Sequence, residues 1–364
     1  MHITRLELKN FRNYPELSVS FDPKVNIIIG RNAQGKTNLI EAIYLTSIGR
    51  SFRASGDREM IRFGEKRARV HVECAKEVID TKVDITIDRS ARKFIRKDGR
   101  TVKKLSELLD NIIIVVFSPE DLKLVKEEPE KRRRFIDREL GQIKPAYYNA
   151  LSSYKKALLQ RNAYLKEDVV EDRLLDLWDE ELLRYSTPVI QMRKEFIGEM
   201  DGFSSKIHER VTNGSEKLSI SYAPNIPYDS DPEKQRQNFE EILTASRETD
   251  RRLRTTHRGP HKDDMTFTVN GIDCRSYGSQ GQQRTAALSL KLAVLDFIRR
   301  ETGEEGILLL DDVMSELDAE RRKYLISALD QNQIFITTTE IDDELRQTYP
   351  DANILQIENG TVVN

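Results

Sequence analysis

Cysteine is scarce in this chain, which has only Cys74 and Cys274 among its 364 residues. Two distant cysteines supply neither a disulfide framework nor the spacing of a metal site, so we expect two free thiols in a reducing compartment. Long apolar runs are also missing. None approaches the roughly 18 residues that a membrane span needs, and the first residues lack the apolar core of a signal peptide. These absences predict a cytoplasmic protein that needs no membrane.

An excess of charge of one sign is absent as well. The 59 basic and 61 acidic residues nearly cancel, to a net charge of −2, so the overall balance does not indicate a nucleic-acid-binding protein. The basic residues are clustered, however, and such clusters form either solvated surface or contacts to nucleic-acid phosphates. Both alternatives stay open for three clusters: Arg92, Lys93, Arg96, Lys97, Arg100, Lys103 and Lys104; Lys131 to Arg134; and Arg251, Arg252 and Arg254.

A glycine-rich segment after an apolar run predicts a phosphate-binding loop. Its residues fit G-x-x-x-x-G-K-[ST] between a β-rich run, Val25 to Ile29, and a helical segment, Thr37 to Thr46: Gly30-Arg31-Asn32-Ala33-Gln34-Gly35-Lys36-Thr37. Backbone N–H groups would surround the β- and γ-phosphates, Lys36 would add a positive charge, and Thr37 would offer a hydroxyl to Mg²⁺. A plain glycine-rich turn is the alternative, and the flanking elements argue against it. We predict that Gly30 to Asn38 bind ATP.

An acidic pair follows a second apolar run. Ile307 to Leu310 suit a central parallel strand buried on both faces, and Asp311 would emerge at its carboxyl end. We predict that Asp311 holds Mg²⁺ and that Asp312 lies beside the γ-phosphate, where it orients or deprotonates the attacking water. The alternative is an acidic cap on a buried strand.

A third segment, Ser279-Gln280-Gly281-Gln282-Gln283-Arg284, begins a predicted amphipathic helix. A helix N-terminus attracts anions through its free N–H groups and dipole. A plain N-cap is the alternative, and on its own it would be preferred. The position favours a nucleotide role, because the segment lies just upstream of the strand that carries Asp311, and Ser315-Glu316-Leu317-Asp318 lies just downstream.

Two apolar stripes in the middle of the chain predict a helical arm. They run from Tyr147 to Leu158 and from Trp178 to Phe196, which indicates a short antiparallel hairpin joined near Glu167 to Asp172. Helices of about 20 residues would project on the order of 30 Å. Pro188 should kink or break the second helix, because proline removes a backbone hydrogen bond.

The arm must be an insertion, because Lys36 and Asp311 have to meet at one nucleotide. We therefore predict a discontinuous α/β head at 1–121 and 213–364, with the arm at 122–212. In such a layer the nucleotide binds at the carboxyl ends of the strands.

Together these segments resemble the ATP-binding-cassette superfamily, in the branch that includes the heads of structural-maintenance-of-chromosomes (SMC) proteins. The chain is more closely similar to the bacterial RecF family, from end to end. The motifs that carry this similarity are Leu8 to Tyr14, Ser118 to Leu124, Arg132 to Asp137, Arg258 to Asp264, and Ser279 to Thr285. The resemblance implies an ABC-type, SMC-like P-loop ATPase head with an inserted, mainly helical arm.

The resemblance also implies a site shared by two protomers. Ser279, Gln280, Gly281 and Gln282 would face the γ-phosphate held by the partner, so that two heads enclose two ATP molecules, and Asp318 with Glu316 would cross that interface. The implied catalytic residues are Lys36, Ser279 and Asp312. Arg12, Arg50 and Arg53 are candidates for contact with the α-phosphate.

Three features depart from the superfamily pattern. The usual catalytic glutamate is Asp312, which is one methylene shorter and predicts slow hydrolysis. The Q-loop glutamine has no clear counterpart after Ile112 to Phe117, and threonines beginning at Thr337 stand where a switch histidine is expected. His257 and His261 are predicted to be structural.

The predicted function is an ATP-dependent DNA-binding protein of recombinational repair, with slow, DNA-stimulated hydrolysis. By resemblance it would form an ATP-dependent homodimer, bind single- and double-stranded DNA at gap junctions, and assist recombinase loading with RecO and RecR. Two other interpretations are the motor subunit of a transporter and a scaffold in which ATP is only structural. The short hairpin argues against the first, and the paired acids Asp311 and Asp312 argue against the second.

Overall fold

The computed structural model describes residues 1–329 and 331–363. The strands in these ranges are β1 (His2–Phe11), β2 (Tyr14–Ser20), β3 (Val25–Ile29), β4 (Arg67–Ala75), β5 (Thr81–Asp88), β6 (Phe94–Lys97), β7 (Arg100–Thr101), β8 (Ile114–Phe117), β9 (Leu218–Ala223), β10 (Asp264–Val269), β11 (Ile272–Asp273), β12 (Ile307–Asp311), β13 (Ile334–Thr338), β14 (Asn353–Glu358) and β15 (Thr361–Val363). The helices are α1 (Lys36–Ile48), α2 (Pro129–Ile143), α3 (Pro145–Tyr164), α4 (Asp172–Val211), α5 (Pro232–Leu253), α6 (Cys274–Tyr277), α7 (Gln280–Thr302), α8 (Ala319–Ser327) and α9 (Asp343–Thr348).

The chain forms two compact units. The first contains Met1–Leu122 and the chain from Val294 onward, and the second contains Lys123–Ala293. No helix within the described ranges combines the length and the apolar character that a membrane crossing requires.

Two six-stranded sheets build the first unit. One is antiparallel, in the order β2-β1-β4-β5-β6-β7. Buried residues alternate with more exposed ones along β4 and β5, as expected for a sheet with one solvent-exposed face. The other has the order β15-β14-β3-β13-β12-β8, in which all neighbours from β14 to β8 are parallel. Its central strands are nearly continuous apolar runs, because both faces are covered. One hydrophobic core joins residues of both sheets with the buried side chains of α1.

The second unit contains the predicted antiparallel hairpin. Arg161 of α3 bonds to Asp179 of α4 at 2.6 Å, and Tyr147 near the start of α3 bonds to Arg193 farther along α4 at 3.0 Å. Residues early in one helix therefore meet residues late in the other, as antiparallel helices require.

The second helix of the hairpin is longer than expected. α4 has 40 residues and continues through Pro188, which corresponds to about 60 Å at a rise of about 1.5 Å per residue. Of the predicted kink or break at Pro188, the break is wrong and the kink stays a prediction. Proline removes one backbone bond, but Leu182, Leu183, Val189 and Ile190 are buried on both sides of it, so tertiary packing holds the helix together.

Residues 213–293, which we placed in the head, pack with the arm in the second compact unit. The three-stranded sheet β11-β10-β9 lies against α4 through β9. Ion pairs join α5 to α4, including Arg247 with Asp179 at 2.7 Å and Arg236 with Glu180 at 2.7 Å. The arm is thus a helical hairpin supported by a small sheet and a third long helix.

Candidate nucleotide site

The phosphate loop joins β3 to α1 at the carboxyl edge of the parallel sheet. Gly35 has a φ of 122°, and a Cβ there would lie 2.6 Å from Asn13 Nδ2. A Cβ on Gly30 would lie 2.5 Å from the carbonyl oxygen of Ile357. Both positions therefore need glycine. Because Gly35 has no side chain, it cannot cap the N–H groups of the first turn of α1. Uncapped N–H groups of this kind attract anions, and their binding of phosphate stays a prediction.

Lys36 is buried within this loop. Its side chain is only 4% exposed, and Nζ donates to the carbonyl oxygens of Gly30 at 2.8 Å and Arg31 at 3.4 Å. Arg31, Asn32 and Ala33 are exposed at the tip of the loop, whereas Gln34 is half-buried. The ammonium group is thus held on the inside of the segment predicted to receive phosphates.

Thr37 and Asp311 meet although 274 residues separate them, with Thr37 Oγ1 donating to Asp311 Oδ1 at 2.9 Å. Thr337 Oγ1 donates to the same oxygen at 3.0 Å. Burial raises the pKa of Asp311 above its ordinary value, against the opposing effect of these two hydroxyls. Hydroxyl and carboxylate oxygens are the protein ligands that P-loop proteins offer to Mg²⁺, so the donor set fits the predicted ion.

Asp312 follows directly, with a left-handed φ of 52°. Its N–H donates to Thr337 Oγ1 at 2.9 Å, and its carbonyl oxygen accepts from Ser315 at 2.9 Å. Thr337 therefore contacts both acids, donating to Asp311 and accepting from Asp312. From the sequence, Thr337 is notable only because it stands where the superfamily has a histidine. The usable signal was a polar residue at the carboxyl end of β13, the strand next to β12.

Arg12 is fixed by a carboxylate of α1. Its Nε and Nη2 donate to Glu41 at 2.9 and 2.7 Å, and Nη1 donates to the carbonyl oxygen of Glu59 at 2.9 Å. Glu41 is fully buried and also accepts from Ser51. Arg53 donates to Asn38 at 3.3 Å, next to the loop. Contact of Arg12 and Arg53 with the α-phosphate stays a prediction, as it does for the exposed Arg50.

The serine-led segment begins α7 with reciprocal capping. Ser279 Oγ accepts from the N–H of Gln282 at 3.2 Å, and the N–H of Ser279 donates to Gln282 Oε1 at 2.9 Å. Ser279 and Gln280 are exposed, and Gly281 and Gln282 are half-buried. The segment belongs to the second unit, whereas Lys36 and Asp311 belong to the first. The two capping bonds show that Ser279 is the N-cap of α7. Its action on the nucleotide of a partner stays a prediction.

Asp318, in the first unit, caps α8 by accepting from the N–H of Arg321 at 3.0 Å. Its predicted place at a dimer interface also stays a prediction.

His261 is structural in the contacts it makes. It bonds to the hydroxyl of Tyr154 at 2.6 Å and to the carbonyl oxygen of Thr256 at 3.0 Å, and burial lowers its pKa to about 4. His257 lies 3.1 Å from Asp250.

The three basic clusters differ in exposure. Arg132 is only 1% exposed and donates two bonds to Asp264, at 2.7 and 2.8 Å, which removes it from the candidate DNA contacts. Arg133 donates to the carbonyl oxygen of Asp263 at 2.7 Å, and Arg251 pairs with Asp172. In the first cluster Lys93 bonds to Asp57 at 2.8 Å, whereas Arg92, Arg96, Arg100, Lys103 and Lys104 are exposed.

A phosphate loop at the carboxyl end of β3, with a carboxylate from β12 and a hydroxyl from the neighbouring β13, is the arrangement of a P-loop nucleotide-binding head. Residues 2–359 match the family described as the RecF/RecN/SMC N-terminal domain. The head of an SMC protein bound to the C-terminal winged-helix domain of ScpA has the same fold, at 17% identity and a TM-score of 0.56 over 100% of this chain and 96% of that one. These findings confirm the predicted fold class.

The particular family follows from closer relatives. The DNA replication and repair protein RecF of Clostridium tetani is 40% identical over 365 residues, covering 100% of both chains. A solved structure of the recombination mediator protein RecF-ATP in the RecFOR pathway is 36% identical, with a TM-score of 0.90 over 100% of this chain and 97% of that one. The chain belongs to the RecF family, which confirms the resemblance drawn from its motifs.

Proposed function

We propose that this chain is a cytoplasmic, ATP-dependent DNA-binding protein of recombinational repair that hydrolyses ATP slowly. The observation that carries the proposal is the bond of 2.9 Å between Thr37 and Asp311, because it places distant motifs at one phosphate loop. The family match and the similar structure of RecF-ATP support ATP as the nucleotide. The role of the relatives in DNA replication and repair supports DNA as the partner.

The residues of the candidate site have different tasks in this proposal. The ammonium of Lys36 and N–H groups within Gly30 to Asn38 bind the phosphate oxygens, apart from the N–H of Gly30, which donates to the carbonyl oxygen of Thr338 at 3.3 Å. Thr37 and Asp311 would hold Mg²⁺, and the ion would neutralise charge on the phosphates. Asp312 orients a water and accepts its proton as that water attacks the γ-phosphorus and the bond to the bridging oxygen breaks. The short side chain of aspartate suits a slow reaction.

Two protomers complete each other's sites in this proposal. The segment Ser279 to Gln282 of one protomer contacts the γ-phosphate bound by its partner, and Asp318 lies at the interface. ATP then stabilises the dimer through contacts that ADP lacks, and hydrolysis releases it. Light scattering with Mg-ATP and with Mg-ADP measures this difference directly. A monomeric mass at saturating Mg-ATP would contradict it.

The dimer would bind single- and double-stranded DNA at gap junctions and assist recombinase loading with RecO and RecR. The exposed Arg92, Arg96 and Arg100 of the first unit are the candidate phosphate contacts. Each duplex phosphate that such a residue neutralises should steepen the log–log dependence of affinity on salt by roughly 0.9. A triple alanine variant that keeps wild-type affinity and slope would return this cluster to solvated surface.

ATP turnover, measured with and without gapped DNA, tests the proposal as a whole. We expect slow turnover that DNA stimulates, and loss of turnover with retained ATP binding in Asp312→Asn, since an orienting base acts mainly in the transition state. Asp351→Asn, which changes an exposed acid, is the matched control. Absence of turnover in the wild type under both conditions would favour a scaffold. Turnover at the same rate with and without DNA would favour the alternative of a transporter motor subunit.

A further inference from the structure

The last strand pair of the chain reaches the phosphate loop. β14 runs parallel to β3, with Gln356 opposite Ile29, the residue just before the loop. Asn359 and Gly360 form the turn between β14 and β15, and both of their N–H groups bond to Gln34. The N–H of Asn359 donates to Gln34 Oε1 at 2.5 Å, and the N–H of Gly360 donates to the Gln34 carbonyl oxygen at 3.1 Å.

The turn between β1 and β2 binds the same part of the loop. Asn13 Nδ2 donates to the carbonyl oxygen of Gln34 at 2.7 Å, while Asn13 Oδ1 accepts from Asn38 at 2.8 Å. The hydroxyl of Tyr14 donates to the carbonyl oxygen of Gly35 at 3.0 Å. Two turns from opposite ends of the sequence thus hold two consecutive carbonyl groups of the loop.

Holding a carbonyl group also aims the neighbouring N–H. In a trans peptide the C=O and N–H bonds point in opposite directions. The bonds to the Gln34 carbonyl therefore direct the N–H of Gly35 away from Asn13. The carbonyl oxygen of Gly35 accepts from Tyr14 and also from the N–H of Leu39 at 3.0 Å, and these two bonds orient the N–H of Lys36. The N–H groups of Gly35 and Lys36 are two of those that a loop of this sequence pattern presents to phosphates.

We propose that Asn13 and the turn Asn359-Gly360 are positioning elements of the nucleotide site, which hold the Gln34–Gly35 peptide in the orientation that receives phosphate. The proposal rests on the ATP site of the proposed function and adds the end of the chain to it. Only glycine fits the junction of the two turns. Gly360 has a φ of 73°, and a Cβ there would lie 2.4 Å from the carbonyl oxygen of Asn13.

The chain offers a matched control for a substitution at Gly360. Gly99 has a φ of 76° and follows Asp98, with a φ of 52°, just as Gly360 follows Asn359, with a φ of 49°. A Cβ on Gly99 meets no atom within 4 Å. Gly360→Ala and Gly99→Ala thus add the same backbone strain to two similar hairpin turns, but only the first disturbs the phosphate loop.

Titration with a fluorescent ATP analogue, at fixed Mg²⁺, tests the proposal. Gly360→Ala should weaken binding roughly tenfold at unchanged stoichiometry, the loss that one or two ordinary hydrogen bonds produce. Gly99→Ala should bind as the wild type does, and it should melt at a higher temperature than Gly360→Ala, whose Cβ also meets the carbonyl oxygen of Asn13. Competition by inorganic tripolyphosphate should weaken by the same factor as ATP in Gly360→Ala, because the turn acts on the phosphates and not on the base.

Asn13→Ala is a second variant that keeps the test informative if Gly360→Ala does not fold. It removes the donor to Gln34 without changing the turn, and it should also weaken ATP and tripolyphosphate alike. Equal affinity of wild type and both variants would overturn the positioning role, as would a loss of ATP affinity with tripolyphosphate affinity unchanged. A wild type that binds no ATP would instead overturn the proposed function, so the two failures are distinguishable.

Discussion

The buried charges of the candidate nucleotide site in the first unit differ in their partners from three buried arginines of the second unit. In the first unit, carbonyl oxygens hold Lys36 and hydroxyls hold Asp311, and such neutral partners do not cancel a charge. In the second unit, Arg132, Arg161 and Arg193 are buried and each pairs with carboxylates. An arginine that carboxylates neutralise joins helices to one another. A charged group whose partners are neutral carbonyl or hydroxyl groups keeps its charge for a ligand. For these five residues, the partners of the buried charge separate a structural role from a predicted ligand-binding role, whereas burial alone does not.

Arg193 shows the structural case most fully. Its guanidinium donates to Asp263 and Asp137, each at 2.8 Å, to Tyr147 at 3.0 Å, and to the carbonyl oxygen of Pro260 at 2.6 Å. These bonds join α2, α3 and α4 to the segment before β10. Arg161 has a similar role, bonding to Asp179 at 2.6 Å and to Asp250 at 2.7 Å.

The largest effect should come from removing one member of such a network. Arg193→Met leaves Asp137 and Asp263 without their buried cation, which should destabilise the second unit by about 3–5 kcal/mol. Urea unfolding can be followed through the only tryptophan, Trp178, which lies in α4. Burial raises the pKa of Asp263 even beside Arg193, so the loss should shrink as the pH falls and this carboxyl takes up a proton.

Arg134→Met is the control for that substitution. The side chain of Arg134 is 68% exposed and pairs with Glu130 on the same helix. Its replacement should change the free energy of unfolding by no more than about 0.5 kcal/mol. If Arg193→Met unfolded at the same urea concentration as the wild type, the buried network would not hold the second unit together, and the contrast between the two units would fail.

A smaller effect should come from Thr337, which joins the two acids of the first unit. Thr337→Val keeps the shape of the side chain but removes the donor to Asp311 and the acceptor for the N–H of Asp312. Loss of that orientation should slow turnover about tenfold, with a smaller change in ATP affinity. Thr338→Val, which removes a bond to the carbonyl oxygen of Glu340, is the control. Wild-type turnover in Thr337→Val would show that this threonine does not orient the acids.

Short sequence patterns were enough to predict the phosphate loop and the acid at the end of β12. The phosphate loop has its own glycine spacing between a strand and a helix, and Asp311 follows an unbroken apolar run, so both could be placed without the fold. Thr337 could not, because its role depends on β13 lying beside β12. The same is true of Gln34, whose partner Asn359 is 325 residues away.

The burial of Arg132 and the continuity of α4 at Pro188 have a common physical origin. A run of arginines looks the same whether it faces water or carboxylates, so nothing in the sequence distinguished the buried Arg132 from its exposed neighbour Arg134. Proline has an unfavourable local propensity in a helix, but the buried residues around Pro188 outweigh it. In both cases the deciding contacts are tertiary, and no single sequence window contains them.

The two cysteines allow the local opening of the two units to be compared, because Cys74 lies in the first and Cys274 in the second. Both are buried, and burial raises the pKa of Cys74 to about 12 and that of Cys274 to about 11, so both thiols should react slowly at pH 8 in the native protein. In single-cysteine variants, the rate of labelling by a disulfide reagent therefore reports the local opening of each unit. Adding Arg193→Met should speed labelling of Cys274 at least about tenfold and leave Cys74 protected, since the lost ion pairs all lie in the second unit. Equal acceleration at both cysteines would mean that the units open together, and the buried arginines would then stabilise the whole chain instead of one half of it.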